Sequence, residues 1–432
     1  MPPSASSPPR LSQYWLLMAV LSVGLSAAAA VVLVIARTPF VSDLVPADTF
    51  PRALVVHVNL ATLIWYFCMA CALWTETLQP ARTGVAGTLL VLAAIAMACV
   101  LGTGVAGGGA PVLANYVPYL DNALFLAALA TIAGTTLLTA VLTLHRPRDA
   151  AEHGFVLARW PFLMAALYLS VALAKQHGLV EALWGAGHIL QFGFVTLLMA
   201  IWARLTVRAG LPLPRATAGL AAAAALPASI APAALLSGAS PETLHALHTD
   251  LMRWLNWPAA LTLVLMLLSR GAGVLRIPCL APSFAMLAFG IVAGAAIDSQ
   301  TTMIPAHYHG TIGAFTLALM AAVMARLEPP AGEDARRRLA RWPLHTYAVG
   351  SLLLIAGLAW SGLLGAPRKT GFVGEAAAPG MTLAAGLVGL GGIVTIIGVT
   401  FFACLALPRI LKLCAPHRTP HRSNASTFAA AH

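Results

Sequence analysis

Apolar residues dominate the chain in long runs, broken at intervals by short clusters of Arg, Pro, Gly and Asp. Twelve runs are long enough to predict helices that cross a bilayer, at 13–36, 53–74, 84–106, 118–144, 160–175, 181–203, 216–238, 246–269, 280–297, 303–325, 346–364 and 381–407. About 20 apolar residues in a helix match the hydrocarbon thickness. The seventh run is the weakest, because Pro227 and Pro232 interrupt it and its body is mostly Ala. The first run is too long for a signal peptide and lacks a small-residue cleavage site, so it reads as a retained helix. The expected fold is therefore all-α and polytopic. Residues 1–12 form a cytoplasmic tail, 13–407 a single twelve-helix membrane domain, and 408–432 a basic cytoplasmic tail.

Composition agrees and narrows the classes. Residues of the AVILMFWYC set make up 59% of the chain and charged residues 9%, against roughly a quarter charged in soluble proteins. An ordinary soluble enzyme, a disordered chain and a nucleic-acid-binding protein are excluded, since the basic residues only punctuate apolar runs. The net charge of +11 is mostly topological. With the N-terminus in the cytoplasm, 19 of the 25 Lys and Arg fall on inner segments. Arg37, Arg52, Lys175, Arg253, Arg368 and Lys369 stay outside. This positive-inside bias supports an even number of spans and both termini in the cytoplasm of a bacterial inner membrane. Attraction to the lipid bilayer's anionic surface is a by-product. The six Cys make no disulfide framework, and no C-x-x-C-H motif for covalent haem is present. Cys68 and Cys71 read as small apolar residues on one helix face. The longest inner loop, 326–345, is too short to carry chemistry, which must then lie in the membrane.

The histidines supply that chemistry. His145, His153, His345, His417, His421 and His432 fall in inner loops or the tail. His57, His177, His188, His245, His248, His307 and His309 fall near the outer ends of spans. His57 is about five residues into its span, so roughly 8 Å along the axis. His188, His307 and His309 sit at similar depth. One intramembrane His is commonly a polar residue bonded to a nearby carbonyl, but several at one level from different helices suit haem or metal ligation. In Pro305-Ala306-His307-Tyr308-His309-Gly310 the two His are about 200° apart on a helix, so they project from opposite faces and can serve two different cofactors. His245 and His248, three apart, share a face if that stretch is helical.

With these positions in view, the chain resembles subunit I of the haem–copper oxidase superfamily over essentially its whole length, nearest to cbb-type oxidases and nitric oxide reductases. The resemblance implies that His57, in Val56-His57-Val58-Asn59, and His309 ligate a low-spin haem, and that His307 ligates a high-spin haem. His188, in Trp184-Gly185-Ala186-Gly187-His188, matches a ligand of a second active-site metal. Arg368 and Lys369 match basic residues near haem propionates. The pattern departs after the seventh span, where the family has two adjacent His. Here Ser240-Pro241-Glu242-Thr243-Leu244-His245-Ala246-Leu247-His248 offers either His245 alone or His245 with His248, and Glu242 as an added ligand or a helix-capping carboxylate. The Tyr that oxygen-reducing members carry in span six or seven is missing: position 192 is Phe, and 216–238 holds no Tyr. The Glu of nitric oxide reductases is missing too.

What the resemblance implies is a respiratory subunit I with two b-type haems, one low-spin and one high-spin, and one Cu or non-haem Fe on His188, His245 and His248. It would reduce a diatomic gas, oxygen or nitric oxide. The missing Tyr leans slightly toward nitric oxide. Electrons would come from a cytochrome c-type subunit or a soluble donor. The competing readings are a di-haem b-type electron-transfer protein without the second metal, and a His-lined transporter. The polar run Asp298, Ser299, Gln300, Thr301 and Thr302 reads as a cap of the tenth span. No polar track from the cytoplasm is legible, so proton pumping is not expected.

Overall fold

The computed structural model describes residues 10–46, 48–327, 334–371 and 379–415. Each predicted run coincides with a helix. Among the described residues, eleven helices are long and apolar enough to cross a membrane. These are α1 (Leu11–Arg37), α2 (Thr49–Thr77), α3 (Pro80–Ala106), α4 (Ala123–Leu142), α5 (Ala150–Ala174), α6 (Leu179–Arg208), α7 (Thr217–Leu236), α8 (Pro241–Leu268), α10 (Met303–Arg326), α11 (Leu339–Leu363) and α12 (Met381–Cys414). The ninth, α9 (Leu280–Ala295), is apolar but shorter at 16 residues, about 24 Å at 1.5 Å per residue. The protein is an all-α, polytopic integral membrane protein. Parts of the two predicted tails, including His417, His421 and His432, lie outside the described residues. Residues 408–414 prove helical, since α12 runs on to Cys414 through Pro408.

Two spans are interrupted, the seventh at its predicted weak point and the eighth with no such expectation. In α7 the Leu226–Ser229 turn tightens to a 3-10 helix at Pro227, because Pro removes an amide donor and fixes its own φ. In α8 the helix stops at Trp254 and restarts at Pro258. A sharper departure is the π-helical turn at Asn59–Ile64, directly after His57. Ser22 Oγ on α1 donates to Leu60 O at 2.7 Å, and Asn59 Nδ2 donates to Val55 O at 2.9 Å and Pro118 O at 2.6 Å. These bonds satisfy backbone groups in the widened turn. Such turns cluster at functional sites.

Burial ranks the spans. In α2, α6 and α10 the apolar stretch is 67, 78 and 67% buried inside the protein, against 39–50% in the other eight. These three helices form the centre of the bundle. They run parallel and in register, as three levels of contact show. At one end His57 and His309 interact electrostatically. In the middle Tyr66 Oη donates to Ile312 O and bonds Thr316 Oγ1, both at 2.9 Å, while its ring packs against Phe194 and Phe315. At the other end Glu76 takes Arg204 at 3.0 Å and also Arg326. Histidines therefore occupy one end of the central trio and arginines the other.

Candidate functional site

His57 Nδ1 lies 3.0 Å from Ser26 O and 3.1 Å from Ser26 Oγ on α1. A carbonyl can only accept, so Nδ1 carries the proton and Nε2 presents its lone pair. His307 does the same toward Gly290 O on α9 at 2.7 Å, and His188 toward Trp184 O at 2.8 Å. An imidazole held this way is oriented and made more basic at Nε2, the arrangement that metal-ligating His usually show. His309 lies within charge-interaction range of His57 and Arg37. The pair on α10 thus addresses two sides, His307 toward α9 and His309 toward α1 and α2.

Close backbone approach sets the His307 position. A Cβ at Gly310 would lie 2.5 Å from Gly290 Cα, and one at Gly294 would lie 2.5 Å from His307 Nδ1. Only Gly lets α9 and α10 cross this tightly, in the small-residue manner of membrane helices.

The second cluster surrounds Trp184. Its ring lies 4.0 Å from His188, 4.2 Å from His245 and 5.4 Å from His248, centroid to centroid. His188 and His248 face each other at 5.3 Å. Helix α8 begins at Pro241 with Ser240 as N-cap, its side chain accepting from Thr243 N, so His245 and His248 do lie on helix. They do not converge. His248 is buried, and its Nε2 has no hydrogen-bond partner. His245 is exposed and stacks flat on Trp184, 3° from parallel. Glu242 is also exposed and accepts from its own N–H and from Ser240, the geometry of a cap. With His245, His177, Glu181 and Tyr168, Glu242 lines a pocket of about 490 Å³. Among the described residues no group of three or more His, Cys, Asp or Glu is gathered closely enough to hold a metal ion. Of the expected His188–His245–His248 set with Glu242, the structure brings His188 and His248 face to face, while His245 stacks on the Trp184 ring and Glu242 stands at the helix start.

Two tyrosines stand at this pair. The Tyr116 ring is 4.5 Å from His188 and the Tyr168 ring 5.0 Å from His248. Gly185 and Gly187 make room for them, since a Cβ at either would collide with Tyr168 or Tyr116. Tyr116 comes from the loop between α3 and α4, with a left-handed φ of 66°, so helical periodicity gave no sign of it. The legible signal was the Gly185-x-Gly187 spacing, because helix-interior Gly marks close approach.

Arg368 and Lys369 lie in the loop between α11 and α12. Arg368 is within charge range of Tyr308. Lys369 Nζ donates to Leu113 O and, at 2.9 Å, to Asn115 Oδ1. Burial, and next Arg368, push the Lys369 ammonium down to about 8. Three of the basic residues outside the predicted inner segments thus tie backbone carbonyls: Lys369, Arg52 to Gly109 O at 3.0 Å, and Lys175 to Leu235 O at 2.7 Å. The polar run before α10 pairs with the same loop, through Thr302 N to Ala366 O at 2.9 Å and Arg368 N to Gln300 O at 3.2 Å. It serves as a loop tie as much as a cap.

No family model matches the chain. The chain is similar to an uncharacterized protein of Rickettsia prowazekii (strain Madrid E), 22% identical over 91% of this chain and 94% of that protein. It is also similar to an uncharacterized protein of Aquifex aeolicus (strain VF5), 27% identical over 45% of this chain and 53% of that protein.

Proposed function

We propose that this protein is a haem-binding membrane oxidoreductase built on the twelve-helix plan of haem–copper oxidase subunit I, with both termini in the cytoplasm of a bacterial inner membrane. One observation carries the reading. Four imidazoles (His57, His188, His307 and His309) sit at one end of the three most enclosed spans, and three of them are clamped through Nδ1 with Nε2 left as a lone pair.

The donor set suits two haems. His57 and His309 would hold one from its two sides, and His307 would hold the other from one side. When bound, these groups supply one-electron redox chemistry and, on the one-sided haem, an open face for a diatomic gas. The chain's own residues orient them. Ser26 O and Gly290 O fix the two imidazole tautomers, and the apolar walls of α2, α6 and α10 exclude water. Arg37 and Arg368, both near Tyr308, supply positive charge at the histidine end. An external donor, a cytochrome c-type subunit or soluble protein, would deliver electrons.

For a further Cu or non-haem Fe, His188 and His248 are the fitting donors. With metal–nitrogen bonds of about 2.0–2.1 Å, two imidazoles on a tetrahedral ion have ring centroids roughly 5 Å apart; theirs are 5.3 Å apart. Tyr116 and Tyr168 place oxidisable phenols beside that pair, which removes the sequence argument for nitric oxide over oxygen. The stacked His245 favours a second reading, a di-haem electron-transfer protein without the extra metal. Metal and haem counting on purified protein separates them. Two haems with one Cu or Fe and gas consumption support the reductase. Two haems alone support the carrier, and no haem overturns both.

A further inference from the structure

The end of the bundle opposite the histidines holds a cavity of about 190 Å³ lined by Arg148, Arg159, Arg204, His145, Glu76 and Glu152. Its charges do not balance internally. Arg159 is 2% exposed. Its Nη1 donates to Phe155 O at 3.1 Å, and its Nη2 to Thr143 O at 3.1 Å and Thr143 Oγ1 at 3.3 Å. The guanidinium carbon lies 5.2 Å from the Trp74 ring centroid. None of these partners is an anion, and Arg159 Nε has no partner at all. The two carboxylates are engaged elsewhere. Glu76 takes Arg204 and Arg326. Glu152 accepts from Arg148 N at 2.7 Å, and His145 Nε2 lies 3.8 Å away. That nitrogen is buried and lacks a hydrogen bond, while His145 Nδ1 lies 3.2 Å from Thr143 O.

A buried cation solvated only by neutral carbonyls, one hydroxyl and an aromatic face, with no counter-charge, is costly. An adjacent cavity flanked by further guanidinium groups is where that counter-charge fits. Arg prefers planar, multidentate oxyanions, above all phosphate oxygens. We infer that this cavity is a binding site for a phosphate group, held by Arg159, Arg148 and Arg204 with His145 beside them. The group is either free phosphate or the headgroup of an anionic lipid. The site is independent of the haem reading.

The test is thermal unfolding of the purified full chain. One arm titrates inorganic phosphate in detergent against sodium chloride at matched ionic strength. The other compares nanodiscs of phosphatidylcholine with and without phosphatidylglycerol. Saturable stabilisation by phosphate identifies the free ion. Stabilisation by phosphatidylglycerol alone identifies the lipid headgroup. Arg148→Gln, at an exposed position where folding is not at stake, should weaken the effect about tenfold, and Arg159→Met should abolish it. Arg270→Gln, outside the cavity, should respond as wild type. If neither probe stabilises the protein, or if Arg148→Gln and Arg159→Met respond like wild type, the inference is overturned.

Discussion

Gly310→Ala should loosen the crossing that positions His307. The added Cβ would lie 2.5 Å from Gly290 Cα, 2.7 Å from Gly290 N and 2.9 Å from Met286 O. All three are backbone atoms and cannot swing aside. Restoring ordinary contact moves α9 about 1 Å away from α10, which overpacking data put at about 1–3 kcal/mol. The same shift stretches the 2.7 Å bond from His307 Nδ1 to Gly290 O beyond hydrogen-bond length, a further loss of about 0.5–1.5 kcal/mol. Better helix propensity returns up to about 1 kcal/mol, so the net loss is about 1–3 kcal/mol. Gly134→Ala on α4, where nothing lies within 4 Å, is the control and should be neutral or slightly stabilising. Denaturant unfolding of both variants in the same micelles measures the difference. If Gly310→Ala is as stable as Gly134→Ala, the close approach of α9 and α10 is not real.

Glu76→Gln should destabilise by about 1–2 kcal/mol, because it leaves Arg204 and Arg326 without their carboxylate. Partial exposure keeps the cost below that of a fully buried pair, and unfolding midpoints check it. Lys369, held at about 8 by burial and Arg368, returns to about 10.4 when unfolded. Between those values the unfolded state binds more protons, so stability should rise with pH over that window and lie flat below it. Lys369→Met should remove the rise in a pH series of unfolding midpoints. Reporter fusions after residue 432 and within 326–345 should both read cytoplasmic; a periplasmic signal at either would reverse the assigned orientation.

Much of this was legible because membrane helices write themselves in apolar length. Every predicted run coincides with a helix, and the weak point at Pro227 had its local cause in Pro, whereas the break inside 246–269 was not read from the sequence. The two-sided spacing of His307 and His309 followed from helical rotation. What stayed hidden depends on three-dimensional neighbours. The π turn after His57 is held by Ser22 and Pro118, far off in sequence. Tyr116 reaches His188 from a loop with no periodicity. His245 shares a helix face with His248 yet stacks on Trp184, and no spacing rule reports a bulky ring from another span. Glu76 carries no local sequence signal, and its role appears only where α6 and α10 bring Arg204 and Arg326 to it.

A haem shared by His57 and His309 is tested most directly by optical and EPR spectra of the purified protein, with haem and metal counts, repeated on His57→Ala. The wild type should hold two b-type haems. The variant should lose the low-spin signal and keep a ligand-binding haem. A wild type without haem, or a variant with an unchanged low-spin spectrum, would contradict it.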